Sequence, residues 1–430
     1  MRQIRDLPQL IVTRKAARSL SGGHPWVFAG EVIGTKCAPT DGRAARNGDV
    51  VDVFEENGTW QGAALLSEES QIRARIISRN ANDRFDENFW RRRIEWAWQH
   101  RETAMGARGI AGAESDLTCC RVLFSEADGV PGLTVDKYED VLVSQVTTFG
   151  MERLKPVVYP LIEDVLASHG YPVAGIFERC DGAVRQKEGL LQYKGWYQDK
   201  GPELDHLVVH ENGIAFELDI ENSQKTGFFL DQKYNRRAVR KIAKDRRVLD
   251  CFCHVGPFGL NALAGGAASC TFCDVSEVAI GLAKRNAELN GYTTEGADAA
   301  ARFVCADVLE WLPTLRNKQT LREAGGPFDL IVLDPPAFTK TSRKVNAALK
   351  GYRQINETAL HILGRGGYLC TCSCSQHVTR DLLARAVAEA AHAAGVQLKQ
   401  VEERQQAPDH PILWGFPESH YLDFFVFQVI

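Results

Sequence analysis

From about residue 208 to its end, the chain alternates short apolar runs with helical patterns, and this alternation constrains the fold more than any other feature. Near-continuous apolar strands with helices between them are typical of a parallel sheet that is covered on both faces. The strands are predicted at Arg247–Phe252, Thr271–Asp274, Phe303–Asp307, Leu330–Asp334 and Tyr368–Ser373. The helices are predicted at Glu277–Asn290, Val308–Leu315, Gly351–Leu363 and Thr379–Ala394. Two last strands, Leu398–Glu402 and Asp423–Val429, have no comparable helix between them and are expected to close the sheet antiparallel.

Other patterns precede this sheet and indicate further domains. A chain of 430 residues is too long for one hydrophobic core, because domains average roughly 150 residues. Short strand-like runs separated by turn signals predict a small β-barrel, with strands at Gln9–Val12, Val27–Ile33, Asp49–Phe54, Trp60–Leu66 and Gln71–Ile77. After the barrel, Trp90, Ile94 and Trp98 recur at four-residue steps and predict a helix. We therefore expect a multidomain α/β protein with a barrel at 1–78, a middle α/β domain at 79–205 and the parallel-sheet domain at 206–430.

Composition narrows the cellular setting. The chain is 44% hydrophobic and 25% charged, which is typical of a soluble globular protein. No run approaches the roughly 20 apolar residues of a membrane span, and the first residues lack the apolar stretch of a secretory signal. Twelve cysteines are too few for a disulfide scaffold of this length. We expect a cytoplasmic protein with no membrane partner, and the sequence leaves the oligomeric state open, a homodimer included.

The first strand of the predicted sheet ends in the segment Leu249–Gly259, at the edge where a doubly wound sheet binds its ligand. Gly256 and Gly259 let the backbone approach a ligand closely, although the usual dinucleotide motif is incomplete. Asp274 ends the next strand, where it can bind both hydroxyls of a ribose, and Asp307 ends the third, where it can accept from an adenine amino group. Carboxylates at three successive strand ends would repel a pyrophosphate but suit a nucleoside that carries a cation, which predicts S-adenosylmethionine. The alternative is that these aspartates only cap the following helices.

The fourth strand leads into Asp334-Pro335-Pro336-Ala337-Phe338. Consecutive prolines remove two backbone donors and stiffen the chain, so a carboxylate and an aromatic ring are fixed beside each other. Asp334 can accept from an exocyclic amine, and Phe338 can stack on or flank a planar ring. This loop at the fourth strand of a nucleoside-binding sheet predicts methylation of a base.

The fifth strand ends with three cysteines at alternate positions, Cys370, Cys372 and Cys374, which therefore share one side of the strand. Cys374 comes last, where the strand opens toward the predicted site, and the other two lie deeper. A thiolate at Cys374 can act as a nucleophile, whereas a structural role is the alternative for any buried cysteine.

A metal site is a competing interpretation of the cysteines. Cys251-x-Cys253 and Cys270-x-x-Cys273 superficially resemble pairs of zinc ligands. However, Cys251 and Cys273 fall inside predicted buried strands, and Cys253 belongs to the predicted ligand loop. We therefore expect no metal.

Four stretches together resemble a known family. They are Glu221–Gln232, Leu249–Gly259, Asp334–Phe338 and Thr371–Ser375. Together they are similar to the bacterial large-subunit ribosomal RNA cytosine-C5 methyltransferases of the RlmI type. Arg18–Phe28 resembles the opening of the family's PUA domain, and the resemblance extends over essentially the whole chain.

The resemblance implies an N-terminal PUA-like barrel, a middle α/β domain and a C-terminal Rossmann-like class I methyltransferase domain. It also implies formation of 5-methylcytosine in large-subunit (23S) ribosomal RNA, with S-adenosylmethionine as methyl donor. The implied catalytic residues are Cys374, which would bond covalently to cytosine C6, and Asp334. The implied cofactor-binding residues are Lys225, Thr226, Asp250, Phe252, Gly256, Phe258, Asp274, Val275, Asp307, Val308 and Asp334. The substrate-binding residues are expected to be Pro335, Pro336, Phe338, Arg14, Lys15 and Arg18.

Two other functions stay open. The first alternative is methylation of guanine N7 or of an exocyclic amine without covalent catalysis. Guanine-N7 methyltransferases with a similar cofactor half typically lack a cysteine at the Cys374 position, so this residue carries most of the choice between the base targets. An RNA-binding assembly factor with a vestigial catalytic half is the second. Two departures from the family pattern are Pro257, where a second glycine is common, and Ala337, where a polar residue is common.

Local basic surfaces are expected to contact RNA, because the net charge of −4 provides no overall attraction. The first 20 residues carry Arg2, Arg5, Arg14, Lys15 and Arg18. A second run consists of Arg236, Arg237, Arg240, Lys241, Lys244, Arg246 and Arg247. For the second run, a solvated helix face is an equally good interpretation.

Overall fold

The computed structural model of the protein describes residues 5–106, 115–202, 207–222, 226–339 and 341–430. The chain forms two compact units. The first comprises Met1–Leu207, Asp219–Leu230 and Pro408–Ser419, and the second comprises Val208–Leu218, Asp231–Ala407 and His420–Ile430. The expected domain bounds at 78 and 205 stay a prediction. Within the described ranges, no helix has the length and apolar character that crossing a membrane requires.

The first unit begins with a six-stranded sheet and one short helix, α1 (Arg14–Ser21). The strands are β1 (Gln9–Val12), β2 (Trp26–Phe28), β3 (Val32–Lys36), β4 (Val50–Glu55), β5 (Trp60–Leu66) and β6 (Ile72–Ser78), in the order β2-β6-β5-β4-β1-β3. The predicted single strand Val27–Ile33 was wrong, because Ala29–Glu31 form a 3-10 turn in which the Glu31 carboxylate accepts from the Phe28 backbone at 3.0 Å. Alanine, glycine and glutamate are all disfavoured in strands, which explains the break.

The first unit continues with a five-stranded sheet and two long helices. In chain order they are α2 (Glu87–Met105), β7 (Cys119–Phe124), β8 (Leu133–Tyr138), β9 (Val141–Val146), α3 (Phe149–Ser168), β10 (Gly175–Cys180) and β11 (Tyr193–Trp196). Asp86 caps α2 by accepting from the Phe89 backbone at 3.0 Å. Trp90, Ile94 and Trp98 are all buried, which confirms the helix predicted from their spacing.

The second unit is built on a seven-stranded sheet. The strands β12 (Leu207–Glu211) and β13 (Ile214–Leu218) form a separate two-stranded sheet. The seven-stranded sheet consists of β14 (Arg247–Cys251), β15 (Ser269–Asp274), β16 (Ala301–Cys305), β17 (Leu330–Leu333), β18 (Tyr368–Ser373), β19 (Leu398–Gln405) and β20 (Asp423–Val429). Its helices are α4 (Lys233–Ile242), α5 (Pro257–Ala264), α6 (Glu277–Leu289), α7 (Val308–Trp311), α8 (Lys318–Glu323), α9 (Val345–Ile362) and α10 (Arg380–Ala394). The predicted helix Val308–Leu315 changes to a 3-10 turn after Trp311, because Pro313 lacks the N–H that an α-helix needs.

The sheet has the order β16-β15-β14-β17-β18-β20-β19. The first five strands are parallel, and β20 pairs antiparallel with both β18 and β19. This topology confirms the predicted parallel sheet and its antiparallel closure. Because parallel strands end at the same edge, the segments that follow β14, β15, β16, β17 and β18 are brought together.

A substitution at Gly259 tests how tightly α5 packs against β15. An ideal Cβ on Gly259 would collide with the buried Phe272 ring and lie 2.7 Å from the Cys270 Sγ atom. We expect Gly259→Ala to lower the free energy of unfolding by about 1–3 kcal/mol, because overpacking forces the core to shift. The matched control is Gly281→Ala in α6, where the nearest atom would be Arg285 Nη1 at 3.8 Å. Alanine is the better helix former, so urea denaturation of that control should give a gain of up to about 1 kcal/mol. Equal stability of both variants would contradict the packing.

Candidate functional site

The loop after β14 is held in a strained conformation at the carboxyl edge of the sheet. Phe252 and His254 have φ angles of 60° and 50°, in the left-handed region that non-glycine residues seldom adopt. The Asp250 carboxylate accepts from the Gly259 backbone N–H at 2.8 Å, which fastens the start of α5 to the end of β14. The His254 backbone N–H donates to the Asp274 Oδ2 atom at 2.9 Å, which fastens the loop to β15. The loop is therefore preorganised by two carboxylates that the sequence singled out.

Asp274 and Asp307 also act on the helices that follow them. Asp274 Oδ1 accepts from the Ser276 backbone at 3.0 Å, and Asp307 Oδ1 accepts from the Leu309 backbone at 2.8 Å. The capping interpretation is thus correct for Asp307, which is the N-cap of α7. Each carboxylate oxygen has a second lone pair, and neither residue is fully buried, so capping leaves both able to bind a ligand.

Burial sets the protonation of the two carboxylates at this edge. Burial raises the pKa of Asp250 to about 8, although the Gly259 hydrogen bond opposes that shift. Burial also raises the pKa of Asp334 to about 6, against hydrogen bonds from Cys372 and Gln232. Burial lowers the pKa of His254 to about 4, so its imidazole is neutral near pH 7. Perturbed pKa values that cluster in this way are typical of functional sites.

The hydrophobic residues expected at the cofactor site are placed unequally. The Val275 side chain is exposed, and the Phe252 side chain is half-buried against the core. Val308 is buried in the core, and Phe258 is buried with its ring stacked on Phe424 at 6.0 Å. The side chains of Val308 and Phe258 therefore pack in the core, so any ligand contact at these two residues would come from the backbone. Gly256 has a φ of 87°, which the turn into α5 requires.

Thr226 is buried in the first compact unit, where its hydroxyl donates to the Asp136 carboxylate. Lys225 lies outside the described residues.

The loop after β17 lies against the end of β18. Cys374 Sγ is 3.8 Å from the Pro335 carbonyl oxygen and is half-buried, while Cys370 and Cys372 are fully buried. The predicted depth order of the three cysteines is therefore confirmed. Pro336 is exposed at the surface of the same loop, in which Pro335 is buried.

Tyr352 in α9 joins the two segments, and the sequence offered no indication of this role. The Phe338 ring lies 4.7 Å from the Tyr352 ring, and the Tyr352 hydroxyl lies 3.4 Å from the Ser375 hydroxyl. Phe338 therefore packs against a fixed aromatic ring, and Tyr352 links that ring to the residue that follows Cys374.

A chain of hydrogen bonds that sequence analysis missed ends on Asp334. The Gln232 amide donates to the Asp334 Oδ1 atom at 3.1 Å and accepts from the Asn235 amide at 2.6 Å. The Arg404 guanidinium donates to the Asn235 Oδ1 atom at 3.2 Å. Gln232 and Asn235 are three residues apart, a spacing that places both on one side of a helical turn and that the sequence itself shows. Their partners lie 102 and 169 residues away, and no local pattern predicts such pairs.

The two basic runs differ in what they leave for RNA. Arg14, Lys15 and Arg18 are exposed on α1, whose opposite side buries Ala16, Ala17 and Leu20. In contrast, Arg5 pairs with Asp52 at 2.7 Å.

Most basic residues of the second run bind partners within the second compact unit. Arg236 is buried and pairs with Glu211 at 2.6 Å, and Arg237 and Arg240 donate to Asn212 at 2.6 and 2.8 Å. Arg246 stacks on Tyr368 at 4.6 Å, and Arg247 pairs with Asp329 at 3.5 Å. Lys241 and Lys244 remain exposed. These five arginines therefore cross-link the second unit, whereas the RNA contact and the solvated helix face considered for this run both need exposed cations.

The structure does not favour the alternative that four of the cysteines bind zinc. Cys251, Cys253, Cys270 and Cys273 are all buried, and burial raises the pKa of each thiol, which disfavours the thiolate that zinc needs. Among the described residues, no three of the potential metal ligands His, Cys, Asp and Glu are grouped to hold an ion.

Comparison with known proteins defines the class first. Residues 195–415 match the S-adenosylmethionine-dependent methyltransferase family, and residues 10–79 match a PUA-like domain. A SAM-dependent methyltransferase structure from Streptococcus mutans covers 98% of the chain, and all of that structure is covered, with a TM-score of 0.76 at 19% identity. A second methyltransferase structure, in complex with S-adenosylhomocysteine, gives 0.77 over the same shares, also at 19% identity. Identities this low establish the fold alone.

Curated relatives then narrow the class. The ribosomal RNA large subunit methyltransferase I of Aeromonas salmonicida is 37% identical over 405 residues, which are 94% of this chain and 95% of that protein. The protein of the same name from Cronobacter sakazakii is 36% identical over 422 residues, which are 98% and 99% of the two chains. The chain therefore belongs to the ribosomal RNA large subunit methyltransferase I family of S-adenosylmethionine-dependent enzymes.

The loop fits the cofactor of this family. Asp250 Oδ1 is buried and has no hydrogen-bond partner among the described residues. A buried acceptor without a partner is costly, so it suits a ligand that brings a donor, such as the ammonium group of S-adenosylmethionine. S-adenosylmethionine also has no phosphate group that the neighbouring carboxylates would repel.

The raised pKa of Asp250 predicts a pH-dependent stability. Its pKa in the folded protein, about 8, lies above the ordinary value of 3.8, so ionisation opposes folding. The contribution of Asp250 is fully favourable below about pH 4 and is lost as the pH rises through about 8. Asp250→Asn keeps an acceptor for Gly259 but cannot ionise. We expect its stability relative to the unmodified protein to rise by several kcal/mol between pH 4 and pH 8.5, measured by urea denaturation. A stability difference that does not change with pH would contradict the assignment.

Proposed function

We propose that the protein forms 5-methylcytosine in large-subunit (23S) ribosomal RNA through a covalent bond between Cys374 and cytosine C6. The observation that carries the proposal is the placement of Cys374, a half-buried thiol 3.8 Å from the Pro335 carbonyl of the Asp334–Phe338 loop. The names of the relatives support an RNA substrate from the large ribosomal subunit. The base and the atom that receive the methyl group are inferred from the chemistry of the site.

Cys374 is better suited than Cys372 to be the nucleophile. Burial and the neighbouring Asp334 carboxylate raise the pKa of Cys372 well above its usual range, so this residue stays a neutral thiol. Its Sγ atom lies 3.4 Å from the Leu333 carbonyl oxygen and also contacts Asp334, so its single proton is shared between these two acceptors. A neutral, fully buried thiol cannot attack a base.

Covalent addition is required because C5 of cytosine is a weak carbon nucleophile. The Cys374 thiolate adds to C6, and the electron pair of the C5–C6 double bond becomes available at C5. When bound, S-adenosylmethionine would supply the electrophilic methyl group that C5 attacks, with S-adenosylhomocysteine as the product. A base then removes the C5 proton, the double bond forms again, and the C6–S bond breaks to release the thiolate. Asp334 is proposed to accept from the exocyclic amine of cytosine, which orients the ring and favours this electron flow.

The cofactor is assigned to the carboxyl edge of β14, β15 and β16. Asp250 is proposed to accept from the ammonium group, Asp274 from the ribose hydroxyls and Asp307 from the adenine amino group. The backbones at Phe252, Gly256, Phe258, Val275 and Val308 would complete the contacts. Roles for Lys225 and Thr226 stay predictions, and Thr226 already has a buried partner in Asp136.

RNA recognition is assigned to the PUA-like segment and to the loop around Asp334. The exposed Arg14, Lys15 and Arg18 of α1 would contact phosphates, and Pro335, Pro336 and Phe338 would flank the target base. The base has to leave its stack to reach the site, at a cost of a few kcal/mol that is smaller in single-stranded loops.

An RNA carrying 5-fluorocytosine tests the covalent step. Fluorine cannot leave as a proton does, so the Cys374–C6 adduct should accumulate and survive denaturing electrophoresis. Cys372→Ala should still form the adduct, at a lower level if packing suffers. Cys374→Ser should form none, because a serine hydroxyl is barely ionised near neutral pH.

Calorimetric binding of S-adenosylmethionine to both variants controls for folding. An adduct in Cys374→Ser together with its loss in Cys372→Ala would reverse the assignment. An active unmodified enzyme without any adduct would instead favour methylation of guanine N7 or an exocyclic amine.

The hydrogen bond from Gln232 predicts a shift in the pH profile. Its amide stabilises ionised Asp334, so Gln232→Leu should raise the pKa of Asp334 beyond its present value of about 6. Hydrogen bonds to charged groups are worth about 1.5–3 kcal/mol, or roughly one to two pKa units. The pH of half-maximal methyl transfer should therefore rise by about one unit. Gln319→Leu, which removes an exposed bond to Glu323, is the control. Superimposable profiles for Gln232→Leu and the unmodified enzyme would exclude a need for ionised Asp334.

A further inference from the structure

A groove of about 500 Å³ lies within the first compact unit, where β6 meets α2. Residues from the end of β6, from α2, from the turn at 126–129 and from the segment at 411–413 line it. Its volume falls in the range of about 300–1,000 Å³ that is typical of small-ligand sites. The proposed methyl-transfer chemistry uses none of these residues, so the groove needs its own explanation.

Exposed tryptophan is concentrated at this groove. The structure describes all eight tryptophans of the chain, and of these eight only Trp96 and Trp414 are exposed. Trp96 lines the groove with 56% of its surface exposed, and Trp414, 93% exposed, directly follows the lining residue Leu413. Exposed tryptophan beside a groove is informative, because tryptophan is enriched at binding interfaces, where its large ring packs against a partner.

The groove also carries two guanidinium groups, Arg79 and Arg93, that form no salt bridge among the described residues. Arg79 donates to the His24 carbonyl at 3.1 Å, and Arg93 donates to the Ile77 carbonyl at 2.7 Å. In the described part of the chain, neither forms an ion pair within 4.0 Å, and burial lowers the pKa of both. Each group is therefore held in place by a backbone carbonyl while its remaining donors stay available to an anion.

The carboxylates that line the same groove are already neutralised. Asp128 is held by Arg101 through two bonds of 2.7 Å. Glu126 accepts from the Trp26 indole at 2.8 Å and lies 3.6 Å from Arg75. The groove therefore presents a positive charge from Arg79 and Arg93 to whatever enters it.

One face of α2 brings the ring and the charge together. Arg93, Trp96 and His100 follow a spacing of three and four residues, so they project from the same side of the helix. The Arg93 guanidinium lies 5.7 Å from the Trp96 ring centroid. The indole provides a surface on which a base can stack, and the fixed guanidinium groups provide cations that can bind a phosphate. Sites for single-stranded nucleic acids combine these two features.

We infer that this groove binds one unpaired nucleotide of the RNA substrate, with its base stacked on Trp96 and its phosphate held by Arg79 and Arg93. The inference rests on the proposed RNA substrate and adds a second contact outside the methyl-transfer site. A paired nucleotide is excluded, because its base faces are covered by neighbouring base pairs. An acidic protein segment would use the arginines and leave the indole without a role.

Fluorescence anisotropy with a short labelled oligouridylate, alone or annealed to its complement, tests the inference in the full-length protein. Trp96→Ala should weaken binding of the single strand by about tenfold or more and leave duplex binding unchanged, since stacking on one aromatic ring has an effect of this size. Trp96→Phe should restore most of the affinity. Arg79→Ala should weaken binding and reduce the slope of log affinity against log salt by about one.

Arg91→Ala is the matched control, because Arg91 is exposed on α2, pairs with Asp164 at 3.0 Å and does not line the groove. It should bind the RNA as the unmodified protein does, and all variants should keep their affinity for S-adenosylmethionine. Unchanged binding of the single strand by Trp96→Ala overturns the inference. Weakening in Arg79→Ala alone would replace the nucleotide with an acidic ligand held by charge. If the unmodified protein binds no RNA, the proposed function fails as well, so the two failures are distinguishable.

Discussion

The parallel pairing of β16, β15, β14, β17 and β18 is the constraint on which the site depends. Parallel strands end at one edge, so segments that are far apart in the chain deliver their side chains to the same place. The register pairs Cys251 with both Cys273 and Leu333, which sets the ends of three strands at one level. Asp250, Asp274, Asp334 and Cys374 are neighbours at this edge only because that register holds.

Burial of carboxylates at this edge costs free energy that the loop contacts partly offset. Asp250 receives one backbone hydrogen bond, and Asp334 receives bonds from Gln232 and Cys372, yet burial keeps the pKa of each carboxyl above its ordinary value. Such a site is less stable empty than a well-packed apolar edge would be, and a cationic ligand would relieve the cost. The strained backbone at Phe252 and His254 agrees with this view, since strain persists where function requires the geometry.

Much of the architecture could be predicted because it depends on local patterns. Continuous apolar runs predicted β14, β17 and β18, and the four-residue spacing of Trp90, Ile94 and Trp98 predicted α2. The position of Cys374 just after the end of β18 was enough to place it nearer the surface than Cys372. The errors arose where a local break interrupts a good pattern, at Ala29–Glu31 and at Pro313, because single residues in those stretches outweigh the average of their neighbours.

The strand and helix types, the family and the residues that can carry the chemistry all follow from the amino-acid sequence, because hydrophobic period, turn residues and motifs are properties of neighbouring positions. Which charged side chains stay available to a ligand depends on the packing of the folded chain. Arg236 looks like a surface cation in the sequence, but it is buried against Glu211, whereas Arg79 and Arg93 keep donors for a ligand. The bond between Gln232 and Asp334 spans 102 residues, and the groove joins α2 to a segment more than 300 residues away. Pairs so distant follow from how the elements pack, and no local pattern encodes that packing.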